Sequence, residues 1–493
     1  MRTTHVRSVF LLSLVFLQFM ADQQPKGKFP KSIPFIMGNE IAERFSFYGL
    51  RSIMTTFLVA YFFNPASNPM LNTIADAKAN ELTHLFVTLA YFMPMVGGIV
   101  ADWFFGKYKV ILYVSIFYSI GTLILALSTH SLPMFVTGLV VVAIAAGGIK
   151  SCVSANVGDQ FDKSNQHLLS KMYGWFYVAI NVGGTLSPII IPIFYKYFGP
   201  AVAFGVPGIL MVIATIIFWT GRKKYVRVPP SGPKKENFVS ISLYAIKKLF
   251  SRKPGQKVWQ AVGEKYSATA IDGVQAVYRI LAVFAFTPIY WAMWDQNLSE
   301  WILQATKLDL HIGFGIDILA QQVNFINPLF VVALTPVFTY VLFPFFEKLG
   351  IKVSPLRKIG LGLVLIGICF VVIAMVQQSI DKGGHPSVWW QIFAYVLLAM
   401  SEILVSVTCL EYAYTNSPPS MKSTMSALYL LGISIGNYFD TLINGSIASK
   451  GFFSSLEGAS YYWFFIKVLA VFIIIYLFVS KKIPEKNYVQ SAV

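Results

Sequence analysis

Apolar residues fall into twelve long stretches along the chain, and polar residues gather between them. The stretches occupy 34–63, 80–104, 108–129, 132–157, 170–194, 201–221, 276–306, 322–346, 356–378, 389–414, 421–447 and 459–480. Most of them match the roughly 20 residues that a helix needs to cross the hydrocarbon core of a bilayer. The pattern predicts an all-α polytopic membrane protein with 12 transmembrane helices, and an even count returns the chain to the side it started from. The longest polar interval, 222–275, separates six stretches from six. It divides the chain into an N-terminal segment (1–33), a six-helix bundle (34–221), a linker (222–275), a second six-helix bundle (276–480) and a tail (481–493). Such a division predicts two bundles closing on a substrate at their interface, as in alternating-access carriers.

Smaller features refine the outline. Within the linker, FVSISLYAIKKLF (238–250) has the spacing of an amphipathic helix lying on a membrane surface, and a plain basic linker reads equally well. Pro94, Pro188, Pro192, Pro288, Pro328, Pro336 and Pro344 lie within or near apolar stretches and mark places for kinks. Residues 1–19 have a basic start and a short apolar core, loosely like a signal peptide. Met20 then opens a polar, basic stretch suited to a cytoplasmic tail. Either translation starts there, or 1–19 are a dispensable addition.

Composition supports a membrane protein. Of 493 residues, 56% are hydrophobic and 12% charged, about half the roughly 25% charged residues of soluble domains. The formal charge of +17 fits either nucleic acid or a membrane, and its distribution favours the membrane. Basic residues cluster before the first stretch (Lys26, Lys28, Lys31) and after the second (Lys107, Lys109), fourth (Lys163, Lys171), eighth (Lys348, Lys352, Arg357, Lys358), tenth (Lys422) and twelfth (Lys481, Lys482, Lys486). The intervening connections carry few, so the positive-inside pattern places both termini in the cytoplasm. Up to Lys265 the linker adds twelve Lys/Arg against Glu236 and Glu264. Cys152, Cys369 and Cys409 lie in or beside apolar stretches and suggest neither a disulfide framework nor a metal site. Gly97-Gly98 and Gly147-Gly148 lack a P-loop lysine pattern, which argues against a nucleotide site and an ATP-driven pump. The expectation is a chain that is no enzyme, needs no cofactor or metal, and binds no nucleic acid.

Charges inside the stretches carry the chemistry. Glu40, Glu43, Arg44 and Tyr48 lie three and four apart on one helical stripe, with Phe47 and Arg51 on its flank. Charges in hydrocarbon usually face a bundle interior or polar cavity, so the trio predicts a paired network. The bland alternative is a cluster snorkelling at the interface, but a solvated helix end has no need of both signs at helical spacing. His84 and Asp102 lie roughly 27 Å apart along one helix, at its opposite ends. His84 can exchange a proton near neutral pH, or serve only as structure. Lys150 either meets a carboxylate across the bundle or marks the cytoplasmic edge. Asp295, Gln296 and Glu300 add polarity to the seventh stretch, and Glu402 and Glu411 to the tenth, with Arg279 a candidate partner for one of the acids. Tyr48, Trp291, Trp294, Trp301 and Tyr412 are candidate pocket aromatics, although aromatics are common throughout membrane interfaces.

These stretches closely resemble the proton-dependent oligopeptide transporters, a branch of the major facilitator superfamily. The resemblance runs from about residue 30 to 480, with its motifs in the expected order. Glu40-x-x-Glu43-Arg44-Phe45 with Tyr48-Gly49 matches the first-helix motif ExxERFxYYG, Phe47 replacing its first tyrosine. GGIVADWFFGKYK (97–109) is similar to the family's loop after the second helix, and AAGGIKSCVSANVGDQF (145–161) to its fourth-helix lysine motif, with Ser151 where proline is common. FYVAINVGG (176–184) matches FYxxINxGS with Gly184 in place of serine. AFGVPG (203–208), DQNLSEWILQAT (295–306), QQVNFINP (321–328), SVTCLEYAY (406–414) and PPSMKS (418–423) add to the likeness.

The resemblance implies import of di- and tripeptides driven by protons as the coupling ion, across a plasma membrane, with a bacterial inner membrane expected. It implies proton-coupling roles for Glu40, Glu43, Arg44, His84, Lys150 and Asp295, the histidine matching that of the animal-type members. It implies peptide-binding roles for Arg44, Tyr48, Lys150, Asn181, Trp291, Gln296, Asn327 and Glu411. Lys150 and Arg44 would take the peptide carboxylate and Glu411 its amino terminus. Gly98, Asp102, Gly106, Lys107 and Lys109 would form the cytoplasmic gating motif. The expected assembly is a functional monomer, with an oligomer left open. The stretch 381–388 is too short for the large extracellular domain of animal relatives, and 222–275 lacks the extra helix pair of many bacterial ones. The rival readings are a carrier of another small solute such as nitrate or an organic acid, and a receptor or scaffold that retains the carrier fold. The intact first-helix triad and the polar set Lys150, Asn181 and Glu411 speak against both.

Overall fold

The computed structural model describes residues 28–162, 164–232, 236–253 and 255–483. The expectations for residues 1–19 and for the tail beyond 483 lie outside the described residues. The N-terminal part contains α1 (Ile33–Phe57), α2 (Ala75–Val100), α3 (Lys107–Leu127), α4 (Leu132–Gly158) and α5 (Leu169–Thr220). The linker holds α6 (Phe238–Ser251). The C-terminal part contains α7 (Ala268–Phe284), α8 (Thr287–Asp295), α9 (Glu300–Ala305), α10 (Ile326–Val337), α11 (Pro355–Asp381), α12 (Trp389–Glu402), α13 (Thr408–Asn416), α14 (Lys422–Ala448) and α15 (Ala459–Ser480).

Among the described residues, eight helices or continuous helical runs are long and apolar enough to cross a membrane, and the bent pair Ala268–Phe284 and Thr287–Ala305 makes a ninth. In lipid only a helix or a closed barrel satisfies its own backbone, and this chain takes the helical solution. Side chains sort accordingly on α3. Tyr113, Ile116, Phe117, Ile120 and Leu123 recur every three or four residues on an exposed stripe, while Ser115, Tyr118 and Thr122 are buried. Helices α1 and α14 fall outside the eight, and they carry part of the polar set from which the site is built.

Two helical stretches end differently from what hydrophobicity alone predicts. The fifth and sixth stretches are joined by a single residue rather than a loop: Gly199 takes φ 82° and ψ 174°, and Pro200 starts the next helix. Glycine reaches that backbone region without strain, and proline tolerates a first-turn position because its missing N–H has no helical partner there. The seventh stretch is longer and broken. It begins at Ala268, so the linker is shorter than expected, and it bends by 47° before α8, which opens with Pro288 in its first turn.

Buried apolar residues form two large clusters, one drawn from residues 33–225 and the other chiefly from 241–476. Small residues let the helices touch. A Cβ on Gly97 would come 2.8 Å from Gly148 Cα, and one on Gly147 would overlap Met93. At Gly436 a Cβ would overlap the backbone of Pro288 and Ala292, which seats α14 against α8. The linker is divided between the two parts. Val226 exchanges both backbone groups with the Gln160 side chain, and Ser231 N–H donates to Asp102 O at 2.8 Å, tying this segment to the N-terminal part. Ile241 and Ala245 of α6 join the C-terminal core instead.

Candidate functional site

The first-helix charges form a buried network. Arg44 Nε lies 3.0 Å from Glu40 Oε1 and its Nη2 2.6 Å from Glu43 Oε2. From α4, Lys150 Nζ approaches Glu43 Oε1 at 3.9 Å and sits 3.3 Å from the centre of the Phe47 ring. Phe47 is fully buried, with Arg51 5.8 Å from the same ring. A phenylalanine thus holds the lysine through its ring face, the attraction that a cation feels over a π-system, where a phenol would offer an oxygen. The helical spacing explains the arrangement: Glu40 and Arg44 are one turn apart, and Gly183 of α5 lets its backbone close on them, since a Cβ there would come 2.9 Å from Arg44 Cβ.

A second network joins the two parts. Arg51 Nη2 lies 2.8 Å from Asp295 Oδ1, both buried. Asn437 Nδ2 donates to Asp295 Oδ2 at 2.7 Å, while its Oδ1 lies 2.8 Å from His84 Nδ1. Ser299 Oγ stands 2.9 Å from His84 Nε2, and Asp440 Oδ2 3.5 Å from Nδ1. Asn80 of α2 bonds Glu300 of α9 in the same contact zone. Gln321 reaches Thr56, Gln322 reaches the carbonyl of Ile189, and Lys307 lies 3.6 Å from Asp76. These contacts draw the two parts together toward one end of the helices. Removing one member of a buried pair such as Arg51–Asp295 costs about 3–5 kcal/mol, because the other charge is left uncompensated.

Between the parts lies a cavity of about 110 Å³. Tyr48, Asn181 and Gly184 line one wall, and Trp294, Asn327 and Glu402 the other. Glu402 Oε2 accepts from Asn327 Nδ2 at 2.8 Å and from Trp294 Nε1 at 3.1 Å, so two neutral donors fix its carboxylate. A wide helical turn, Ile403–Val407, follows it directly; such turns often mark functional sites. Gly184, where serine was the expected residue, is in van der Waals contact range of Tyr48, since its Cβ would lie 3.4 Å from the ring.

The structure redistributes several residues singled out by sequence. Glu411 is half exposed and lies 3.5 Å from Lys358, outside the lining of this cavity, whereas Glu402 is the carboxylate on the cavity wall. The wide turn Ile403–Val407 lies between the two glutamates and shifts the helical phase, so the faces they occupy do not follow from the 3.6-residue spacing of a regular helix. Trp291 is buried against Trp294 and Tyr429 rather than on the cavity wall, and Gln296 turns to Asp440 at 3.4 Å. Trp301 and Tyr412 are packed in the C-terminal core. Asp295 is taken by Arg51, a pairing that the spacing along α1 left open. Asn437 and Asp440, absent from the sequence reading, had a visible signal: with Asn444 they make a polar stripe at spacings of three and four in an apolar helix.

The candidate gating residues pack the loop between α2 and α3 against the linker. Gly106 takes φ 77°, which favours glycine, and Val228 O lies 3.3 Å from where its Cβ would be. Lys107 Nζ donates to Asp159 Oδ2 at 2.7 Å, the Asp102 carbonyl accepts from the linker, and Lys109 is exposed. Gly98 faces Ser151 of α4.

Comparisons with known proteins point one way. The POT family model matches residues 108–454. The mouse (Mus musculus) solute carrier family 15 member 2 is 34% identical over 403 residues, which are 77% of this chain and 54% of that protein. The chain spans about half the length of the curated relatives it matches. The crystal structure of the POT family transporter PepTSo is 33% identical, with a TM-score of 0.85, covering 92% of this chain and 98% of that one. A solved proton dependent oligopeptide (POT) family transporter is 34% identical, with a TM-score of 0.74, over 90% of this chain and all of that one.

Proposed function

Because the chain belongs to the POT family of transporters, we propose that it is a proton-coupled symporter importing di- and tripeptides by alternating access. One observation carries the reading: a cavity between two helical parts holds a fixed carboxylate, Glu402, and reaches Tyr48, one turn from the buried Glu40–Glu43–Arg44–Lys150 network. The fold supports twelve crossings, if the two helices meeting at Gly199 count separately and the polar α1 and α14 also span. With both termini cytoplasmic, in a plasma membrane, the end closed by Thr56–Gln321 and Asp76–Lys307 is the outer one, and this is an inward-facing state.

A mechanism follows from charge balance. Two carboxylates and two cations in the first network sum to zero. A peptide carboxylate entering beside them adds one negative charge in a low-dielectric site, and buried charges persist only when paired. A proton on Glu43 or Glu40 restores neutrality and frees Lys150 or Arg44 for the peptide. The peptide amine then pairs with Glu402, and Asn181 offers its side-chain oxygen to the backbone while Nδ2 stays on Tyr177 O at 2.8 Å. His84, between α9 and α14 where the parts meet, is a second place for a proton to weaken or strengthen the outer closure. Each proton carried inward gains roughly 2.3 kcal/mol per 100 mV of membrane potential.

Competition for counterflow tests the substrate class. Proteoliposomes loaded with unlabelled dialanine are expected to take up labelled dialanine. An excess of other di- and tripeptides should suppress that uptake, while nitrate and free alanine should leave it near its starting rate. Suppression by nitrate but not by peptides would assign the cavity to another solute.

A further inference from the structure

Asp440 on α14 is fully buried. Its Oδ1 accepts from Gln296 Nε2 at 3.4 Å, while its Oδ2 has no hydrogen-bond partner among the described residues and lies 3.5 Å from His84 Nδ1. The charged and titratable groups around this pair are Arg51 on α1, Asp295 on α8 and, farther along, Glu81 on α2, Glu300 on α9 and Tyr461 on α15. Arg51 and Asp295 already neutralise one another at 2.8 Å. What remains is an imidazole and a carboxylate, and a buried charge is tolerated only with a partner. Together they are neutral when they hold one proton between them.

The surrounding amides fix the tautomer of the imidazole. Asn437 Nδ2 donates to Asp295 Oδ2 at 2.7 Å and to Ile433 O at 3.0 Å, so its Oδ1 must face His84. An acceptor there requires hydrogen on Nδ1, and Nε2 is left to gain or lose the transferred proton. Ser299 suits both states. Its hydroxyl donates to a neutral Nε2 at 2.9 Å, and when Nε2 carries hydrogen it turns toward Gln296 O at 3.4 Å. Only an N–H bond forms or breaks.

We propose that Asp440 is the counter-ion of protonated His84 and sets the acidity at which this site loads its proton. The proposal rests on the proton-coupled reading above. Asp440 is a positioning residue: it touches no peptide and acts through the histidine. Loss of the His84 proton strands its carboxylate between α2 and α8, which favours separation of the two parts at this contact.

The test compares wild type, Asp440→Asn, Asp440→Glu, His84→Gln and the double variant in proteoliposomes. Driven dialanine uptake is measured against external pH, with counterflow and thermal unfolding measured on the same preparations. Asp440→Asn should move the pH midpoint of driven uptake about one unit lower, a tenfold change in proton concentration, and Asp440→Glu should return most of the shift. In the His84→Gln background, Asp440→Asn should add no further shift. An unmoved midpoint in Asp440→Asn overturns the proposal. So does loss of counterflow and folding in both Asp440 variants, which would make Asp440 a packing residue. A wild type that exchanges peptide but ignores pH overturns the coupling reading itself, and the proposal falls with it.

Discussion

Glu43→Gln is expected to abolish accumulation of peptide against a gradient while counterflow exchange continues at a reduced rate. Glutamine has the shape of a protonated glutamate and cannot give the proton up, so the variant stays in the state that has loaded its proton. In the native protein Glu43 holds Arg44 at 2.6 Å and Lys150 at 3.9 Å, with no exposure to solvent. Protonating Glu43 breaks its buried pairs at a cost of roughly 3–5 kcal/mol until another anion takes the freed cation, and the variant, with those pairs permanently absent, uncouples the peptide from the proton. One pH unit of gradient supports about tenfold accumulation per coupled proton, since a factor of ten is about 1.4 kcal/mol. The variant's internal-to-external ratio should fall to about one. Accumulation equal to wild type, in protein with normal counterflow, would remove Glu43 from the coupling network.

Glu402→Gln is expected to weaken peptide recognition most for substrates with a free amino terminus. A hydrogen bond to a charged group is worth roughly 1.5–3 kcal/mol, which corresponds to about 10- to 150-fold in the half-saturating concentration. The donors Asn327 and Trp294 stay satisfied by the glutamine carbonyl, so packing around the site should change little. Half-saturating concentrations for dialanine and for its N-acetylated form separate the two effects. The loss should appear for dialanine and be small for the acetylated peptide. Equal losses for both would mean that Glu402 does not receive the amine. Glu411→Gln, on the exposed side and 3.5 Å from Lys358, is the natural control.

The two glutamates show how far the sequence could be read and where it stopped. Apolar stretches mark the helices because hydrocarbon excludes polar side chains, and the Glu40–Glu43–Arg44 spacing marks an ion-paired stripe because three and four residues return to one helix face. The motif SVTCLEYAY pointed to Glu411, yet the wide turn Ile403–Val407 between it and Glu402 shifts the helical phase in a way that spacing does not reveal. Only the packing of α12 and α13 against α11 decides which carboxylate faces the cavity. Arg51 and Asp295 lie far apart in the chain, so their pairing exists only once the two parts meet. Gly199 shows the limit for backbone: a single residue at φ 82° turns the chain where hydrophobicity suggested a short loop. Asp440 was legible as a charge in an apolar helix, but its relation to His84 needed the fold.

Proton coupling is tested by uptake of labelled dialanine into proteoliposomes under an inward pH gradient, with and without a proton ionophore. A proton-coupled carrier accumulates dialanine above the external concentration, and the accumulation collapses when the ionophore is added. Accumulation that survives the ionophore, or no uptake by folded and correctly inserted protein, would contradict proton-coupled transport.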